Sequence, residues 1–196
     1  MKHTLLLFLC WSVTVFADIT VVDDSGTTVV LAEPAGKIVS LSPHLTELLF
    51  SLGVGDRIEA TVDFSDYPEA ALNIPRLGNA FSVSVEAVIE QSPDLIVAWM
   101  TGGNHRTFEQ LRALGYPVFV NEASSLVGIA AAVQQLGILV GKPERGLELA
   151  EKFRVDLQRL RQSSSGAGSP KVFFQISDAQ LYTVNSQHLI GQAIEV

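Results

Sequence analysis

Few residues of this chain are of a type that does chemistry, and their spacing argues against most reactions. The histidines are His3, His44, His105 and His188, far apart and without a cysteine or a paired carboxylate beside them. Zinc sites use tighter ligand pairs. His44, beside Pro43 in the first turn of a predicted helix, reads as a partly exposed polar residue or as a ligand contact. There is no G-x-S-x-G elbow, P-loop or G-x-G-x-x-G run, so nucleophilic hydrolysis and phosphate-bearing cofactors lack their usual cradles. Glu86 and Glu90 lie four apart on one predicted helix face, among polar neighbours. General acid–base work by such a pair needs burial to separate the two pKa values. Their spacing supports a solvated surface, and no enzyme activity and no cofactor are expected.

What remains is a set of aromatics at predicted strand ends. Phe64 follows a strand in Asp63-Phe64-Ser65-Asp66-Tyr67-Pro68, and Phe81 precedes a helix in Gly78-Asn79-Ala80-Phe81-Ser82. Trp99 closes the apolar run Leu95–Ala98 and hands over to a loop with Gly102 and Gly103, while Tyr182 lies in a later segment. Ligands of open α/β sheets gather at the carboxyl ends of strands. Trp99 is therefore either a contact surface or a cap packed under its loop, and its own segment leaves both open. Aromatics with small polar neighbours suit a broad, partly apolar small molecule.

The elements that position these side chains follow from pattern. Ile19–Asp23 and Thr27–Leu31 flank Asp24-Ser25-Gly26, a hairpin signal. Lys37–Leu41 is an apolar strand, after which Ser42 and Pro43 stand as N-cap and first residue of a helix. Leu45, Leu48, Leu49 and Leu52 mark the buried face of that helix. Strands near Ile58–Val62, Leu95–Ala98 and Val118–Val120 alternate with helices at Val83–Gln91, Thr107–Leu114 and Leu126–Val140. That rhythm predicts βαβ units and a mainly parallel sheet, the α/β class. Pro143–Gln162 breaks it with one helix of about five turns, carrying Leu149, Phe153, Leu157 and Leu160 on one face. A Ser/Gly loop follows at Ser163–Ser169. Strands are then expected at Lys171–Ile176 and Leu181–Val184, with a helix from about Gln187.

Bulk properties narrow the function classes. Residues 1–17 carry Lys2, an apolar run from Leu5 and a Val15-Phe16-Ala17 cleavage site, the pattern of a secretory signal peptide. Cys10 is the only cysteine, so the exported part is expected to be stable through its core alone, outside the cytoplasm, most simply in a periplasm. A formal net charge of −8 and the lack of a basic stripe argue against nucleic-acid partners. The last predicted helix runs out at Val196 with little to pack against, which reads as a chain whose second lobe is largely missing. Four segments are thus expected: 1–17 signal peptide, 18–142 first α/β lobe, 143–169 interlobe helix and loop, and 170–196 start of a second α/β lobe.

Two stretches carry a family resemblance. Lys37-Ile38-Val39-Ser40-Leu41-Ser42-Pro43, followed by Thr46-Glu47-Leu48-Leu49-Phe50 and Gly53, resembles the opening of the helical-backbone substrate-binding proteins of ABC importers. Phe64–Pro68, Pro93–Trp99 and Gln110–Gly115 look most like the members that carry cobalamin. The resemblance runs from about Lys37 to Val196. It implies two α/β lobes joined by one long helix, with the ligand held between them, in a protein that is a monomer and performs no bond chemistry. It also implies that Phe64, Trp99 and Tyr182 are cleft positions, and that Glu86 docks onto arginines of the membrane permease. The cobalamin-binding members have a further cleft tryptophan where Ala80 stands here, and Phe81 takes that place if the loop shifts by one residue. Cobalamin or a related corrinoid is the ligand so implied. Haem or a ferric siderophore is the alternative within the family, and an exported metal-dependent enzyme the alternative outside it.

Overall fold

The computed structural model describes residues 17–122, 124–164, 171–176 and 182–196. Residues 1–16 of the expected signal segment 1–17 and most of the Ser/Gly loop therefore lie outside the described residues.

β1 (Ile19–Val22) and β2 (Thr28–Leu31) form the antiparallel hairpin, paired from Ile19 with Leu31 to Val22 with Thr28. Four strands then build a parallel sheet: β3 (Ile38–Ser40), β4 (Ile58–Thr61), β5 (Leu95–Trp99) and β6 (Val118–Asn121). Their order across the sheet is β4-β3-β5-β6, with every pair parallel. The helices between them are α1 (Pro43–Ser51), α2 (Val85–Glu90) and α3 (His105–Ala113), and α4 (Leu126–Leu139) follows β6. The chain continues into α5 (Pro143–Ser164) and α6 (Leu189–Ile194).

The central strands are apolar throughout because both faces of the sheet are covered, as parallel sheets require. Ile38, Leu95, Val97 and Phe119 point to one side, where Leu45, Leu49, Ala130 and Leu136 of α1 and α4 meet them. Val39, Ile96, Ala98 and Val120 point to the other, against Val88 of α2 and Phe108 and Leu111 of α3. The result is a three-layer α/β unit with a buried core on each side of the sheet. The hairpin is tied on through Asp23, whose buried carboxylate accepts from Arg112 Nη2 at 2.6 Å and from the Val120 N–H at 2.9 Å.

α5 is a single unbroken helix and packs antiparallel on α4. The two backbones meet where Gly137 and Gly146 face each other. A Cβ on Gly146 would fall 2.9 Å from the Val133 carbonyl oxygen and 3.2 Å from the Gly137 Cα. Ala150 is buried and Leu149 and Phe153 lie against the core, but Leu160 is exposed. The seam therefore covers only the first half of the helix.

The strands expected at Lys171–Ile176 and Leu181–Val184 are not formed. Residues 171–176 and 182–184 have no strand assignment, and Leu181 lies outside the described residues. A strand exists through a paired neighbour, and the backbone bond that joins these two segments runs from the Ile176 N–H to the Tyr182 carbonyl, 3.1 Å. The helix expected next is present as α6. Its Gln192 docks it onto the start of α4, accepting from the Leu126 N–H at 3.2 Å and donating to the Ser124 carbonyl at 3.0 Å.

Candidate functional site

In the order β4-β3-β5-β6 the connection leaving β3 runs in one direction, to β4, and the connection leaving β5 runs in the other, to β6. Between β3 and β5 the connections diverge, leaving a crevice beyond the strand ends where open α/β sheets take their ligands. Trp99 ends β5 at this point, and the turn from β3 into α1 supplies His44. Both line a cavity of about 650 Å³, together with Leu48 of α1, Ile129 of α4 and Leu189 of α6. Its charged side chains are Glu47 and Glu122, with His188 on the wall formed by the α6 segment. Among the described residues lining it there is no lysine or arginine.

Trp99 is held by its own loop. Gly102 packs directly on the indole, and a Cβ there would fall 1.7 Å from Cε3 and 2.1 Å from Cζ3. Only glycine lets the backbone approach so closely. The loop is fixed at both ends. Thr101 donates its N–H and its hydroxyl to the Glu122 carboxylate at 3.0 Å, and the Asn104 side chain caps α3 by accepting from the Arg106 N–H at 3.1 Å.

Trp99 also meets His44, with ring centroids 5.4 Å apart and planes at 90°. A chain of polar groups orients this imidazole. Asn121 Nδ2 donates to Asp24 Oδ2 at 2.8 Å, which turns Asn121 Oδ1 toward His44 Nε2 at 3.3 Å. Nε2 therefore carries the proton and donates, and Nδ1 accepts from the Ser42 hydroxyl at 2.7 Å. Burial lowers the His44 pKa from its ordinary value, outweighing the Asn121 bond and the nearby Glu122 charge, which both raise it. The expected capping role of the Ser42 side chain is thus replaced, since its hydroxyl serves the His44 ring and caps no backbone N–H of the helix. Ser42 is buried, so the Ser42–His44–Asn121 series offers no accessible nucleophile and is an orienting relay.

A second polar chain leaves the same turn in the other direction. The hydroxyls of Ser40, Thr46, Thr61 and Ser65 follow one another at 2.8–2.9 Å, all buried. Arg76 Nη2 adds a bond to the Ser65 carbonyl at 2.8 Å. These bonds anchor the turn that carries Phe64, whose φ of +67° is unusual for a bulky side chain. Such strain persists only where surrounding bonds over-determine it. Phe64 projects outward and is 77 % exposed.

Of the residues expected in a cleft, Trp99 lines the cavity, whereas Phe64, Phe81 and Tyr182 stand outside its lining. Phe81 and Tyr182 are 62 % and 59 % exposed. Phe64, Phe81 and Trp99 nonetheless share one rim, because their loops are laced together. The Asp63 N–H donates to the Gly78 carbonyl at 2.9 Å, and Asn104 Nδ2 donates to the Phe81 carbonyl at 3.3 Å. Tyr182 is not brought to that rim by any bond to it among the described residues. Glu86 is exposed in the first turn of α2, on a shallow groove of about 550 Å³ with Gln110 and Ala113 of α3. Among the described residues no three His, Cys, Asp or Glu side chains converge.

Sequence patterning missed the part played by His44, Asn121 and Glu122. The available signal was the position of each at the carboxyl end of a strand or in the turn just beyond it, together with the polar Asn121-Glu122 that closes the apolar run Val118–Val120.

A parallel sheet with a crevice at its switch point, continued by one long helix, is the architecture of a binding protein, and the chain belongs to the periplasmic binding protein family, whose sequence pattern matches residues 38–194. Within it the chain is 35 % identical over 151 residues to the vitamin B12-binding protein of Vibrio campbellii, and 32 % identical over 165 residues to that of Yersinia pestis. These matches cover 77 % and 84 % of this chain but 55 % and 59 % of the relatives, so the chain spans just over half their length. The crystal structure of the periplasmic vitamin B12 binding protein BtuF of Vibrio cholerae superposes with a TM-score of 0.75 at 32 % identity, covering 83 % of this chain and 64 % of that one. The haem binding protein HmuT, at 21 % identity and a TM-score of 0.65, shares the fold.

Proposed function

We propose that this protein captures cobalamin or a related corrinoid outside the cytoplasmic membrane and delivers it to the permease of an ABC importer, making and breaking no covalent bond. The observation that carries the reading is the chemistry of the crevice: a seated indole, an apolar floor, and a charged lining of carboxylates with no cation among the described residues. A haem carries propionates, and many siderophores are anionic, so Glu47 and Glu122 oppose both. The peripheral amides of a corrinoid are neutral and donate hydrogen bonds to carboxylates. The relatives named for vitamin B12 support the same ligand.

On this reading Trp99 is the principal stacking surface, and Phe64 and Phe81 extend it along the rim. A cavity of about 650 Å³ takes one face of so large a ligand. Glu86 is the docking residue, exposed on the opposite layer and so free to meet a basic permease surface without disturbing the ligand. Export through the segment ending at Ala17 and a monomeric state complete the proposal.

Titration with cyanocobalamin, haemin and a ferric siderophore, read by quenching of tryptophan emission, tests it. Quenching by micromolar cyanocobalamin with weaker response to the other two is expected. Preference for haemin, or no response to any corrinoid, refutes it. Glu86→Ala is expected to leave affinity unchanged and to impair uptake by cells carrying the importer.

A further inference from the structure

His44 has no spare hydrogen-bonding capacity. Its two nitrogens are engaged by Ser42 and Asn121, and Asn121 is itself anchored to Asp24 of the hairpin. Three separate parts of the chain, the β1–β2 turn, the end of β6 and the β3–α1 turn, thus combine to hold one imidazole at one angle. The only other ring it touches among the described residues is Trp99, edge to face at 5.4 Å. A polar relay of this length is a costly way to place a side chain with nothing to do, since each buried member has to be satisfied.

We infer that His44 is a positioning residue of the ligand site, acting through Trp99 to hold the indole at the tilt the ligand meets. This deepens the corrinoid reading and rests on it. Trp99 is held by the Gly102 backbone and by its edge-to-face contact with His44, so its ring is ordered before a ligand arrives and the ligand does not bear that cost. The relay sets the imidazole in its neutral form with the proton on Nε2. Protonation puts a second N–H against the Ser42 hydroxyl, which then has to turn its own proton away. The charged and titratable groups around the ring are Glu47, one turn along α1, Glu122 at the end of β6, Asp24 behind Asn121, and His188 across the cavity. The clamp is therefore intact at neutral pH and altered in acid, in a manner that Trp99 itself reports.

The test uses as background the exported protein beginning at Asp18, in which Trp99 is the sole tryptophan. Ligand-free emission is followed from neutral to acidic pH, and cyanocobalamin is titrated at neutral pH, for this protein and for added His44→Ala and His44→Gln. An imidazolium beside an indole quenches it more than an imidazole does. The background protein is expected to lose emission on acidification, and both His44 variants to lose that step. His44→Ala is expected to weaken cyanocobalamin binding by about threefold to tenfold, the range one aromatic edge contact supports, with partial recovery in His44→Gln. An identical pH profile with and without His44, or equal affinity in all three proteins, overturns the inference. Should His44→Ala fail to fold, the profile and affinity of His44→Gln decide. Absence of any cyanocobalamin response in the background protein defeats the corrinoid reading, while the ligand-free profile still decides whether His44 sets the indole.

Discussion

Replacing Gly102 by alanine adds one methyl group at the tightest point of the site. That carbon would stand 1.7, 2.1 and 2.4 Å from Cε3, Cζ3 and Cδ2 of Trp99. Carbon atoms rest about 3.5–4 Å apart, so the ring or the loop has to retreat by roughly 1.5–2 Å. The loop is poorly placed to yield. Thr101 is bonded to Glu122, Asn104 caps α3, and a Cβ on neighbouring Gly103 would itself meet Phe108 Cζ at 2.4 Å, so that residue already sits against the core. The indole is the part that moves, and in moving it leaves its contact with His44. Overpacking of this kind costs about 1–3 kcal/mol, to be read as the shift in urea midpoint at constant slope. Affinity for cyanocobalamin is expected to weaken about tenfold, equivalent to about 1.4 kcal/mol, and the near-ultraviolet circular dichroism of Trp99 to change. A Gly102→Ala protein with wild-type stability, spectrum and affinity would refute the seating of Trp99 against this glycine.

Three further outcomes follow from other parts of the molecule. Asp23→Ala strips a buried carboxylate from Arg112, Val120 and the β1–β2 turn, and breaking one side of such a pair is expected to cost about 3–5 kcal/mol in chemical denaturation. Gly146→Val forces two or more carbons into a seam with 2.9 Å of room beside the Val133 carbonyl, and is expected to separate α4 from α5, detected as faster proteolysis within α5 and a lowered melting temperature. His44 gives a pH dependence of known sign. Its folded pKa lies below the unfolded one because burial dominates, so its stabilising effect is complete above about pH 6.5, falls as pH drops below that value, and is fully lost below the folded pKa. His44→Gln is expected to flatten this part of the stability curve, measured by urea midpoints at successive pH values.

The elements were legible to the degree that they rest on local pattern. The apolar runs Leu95–Ala98 and Val118–Val120, the Ser-Pro start of α1 and the helical spacing from Leu149 to Phe153 announce strands and helices because those signals act within a few residues. The order of the strands was not legible, since the divergence between β3 and β5 arises from packing of segments that are far apart in sequence. The site suffered in the same way. Trp99 stood out as a large aromatic before a pair of glycines, but His44 gains its part from Asn121 and Asp24, and the partners within this relay lie 77 and 97 residues apart. The strands expected at Lys171–Ile176 and Leu181–Val184, unassigned over the described residues 171–176 and 182–184, show the reverse error, in which β-forming composition alone was credited with a pairing that needs a neighbour.

The crossing of Gly137 and Gly146 has a mechanical consequence. A helix of 22 residues is about 33 Å long, and among the described residues the buried contacts of α5 with α4 and the core lie in its first half. It acts as a lever whose far end magnifies whatever play its root allows. A tilt of about 5° at the root would carry the far end through about 3 Å, given that length. Two backbones in contact without side chains between them leave the root almost no play. The direction in which the chain departs from the α/β unit is thereby set by a pair of hydrogen atoms, well away from the crevice.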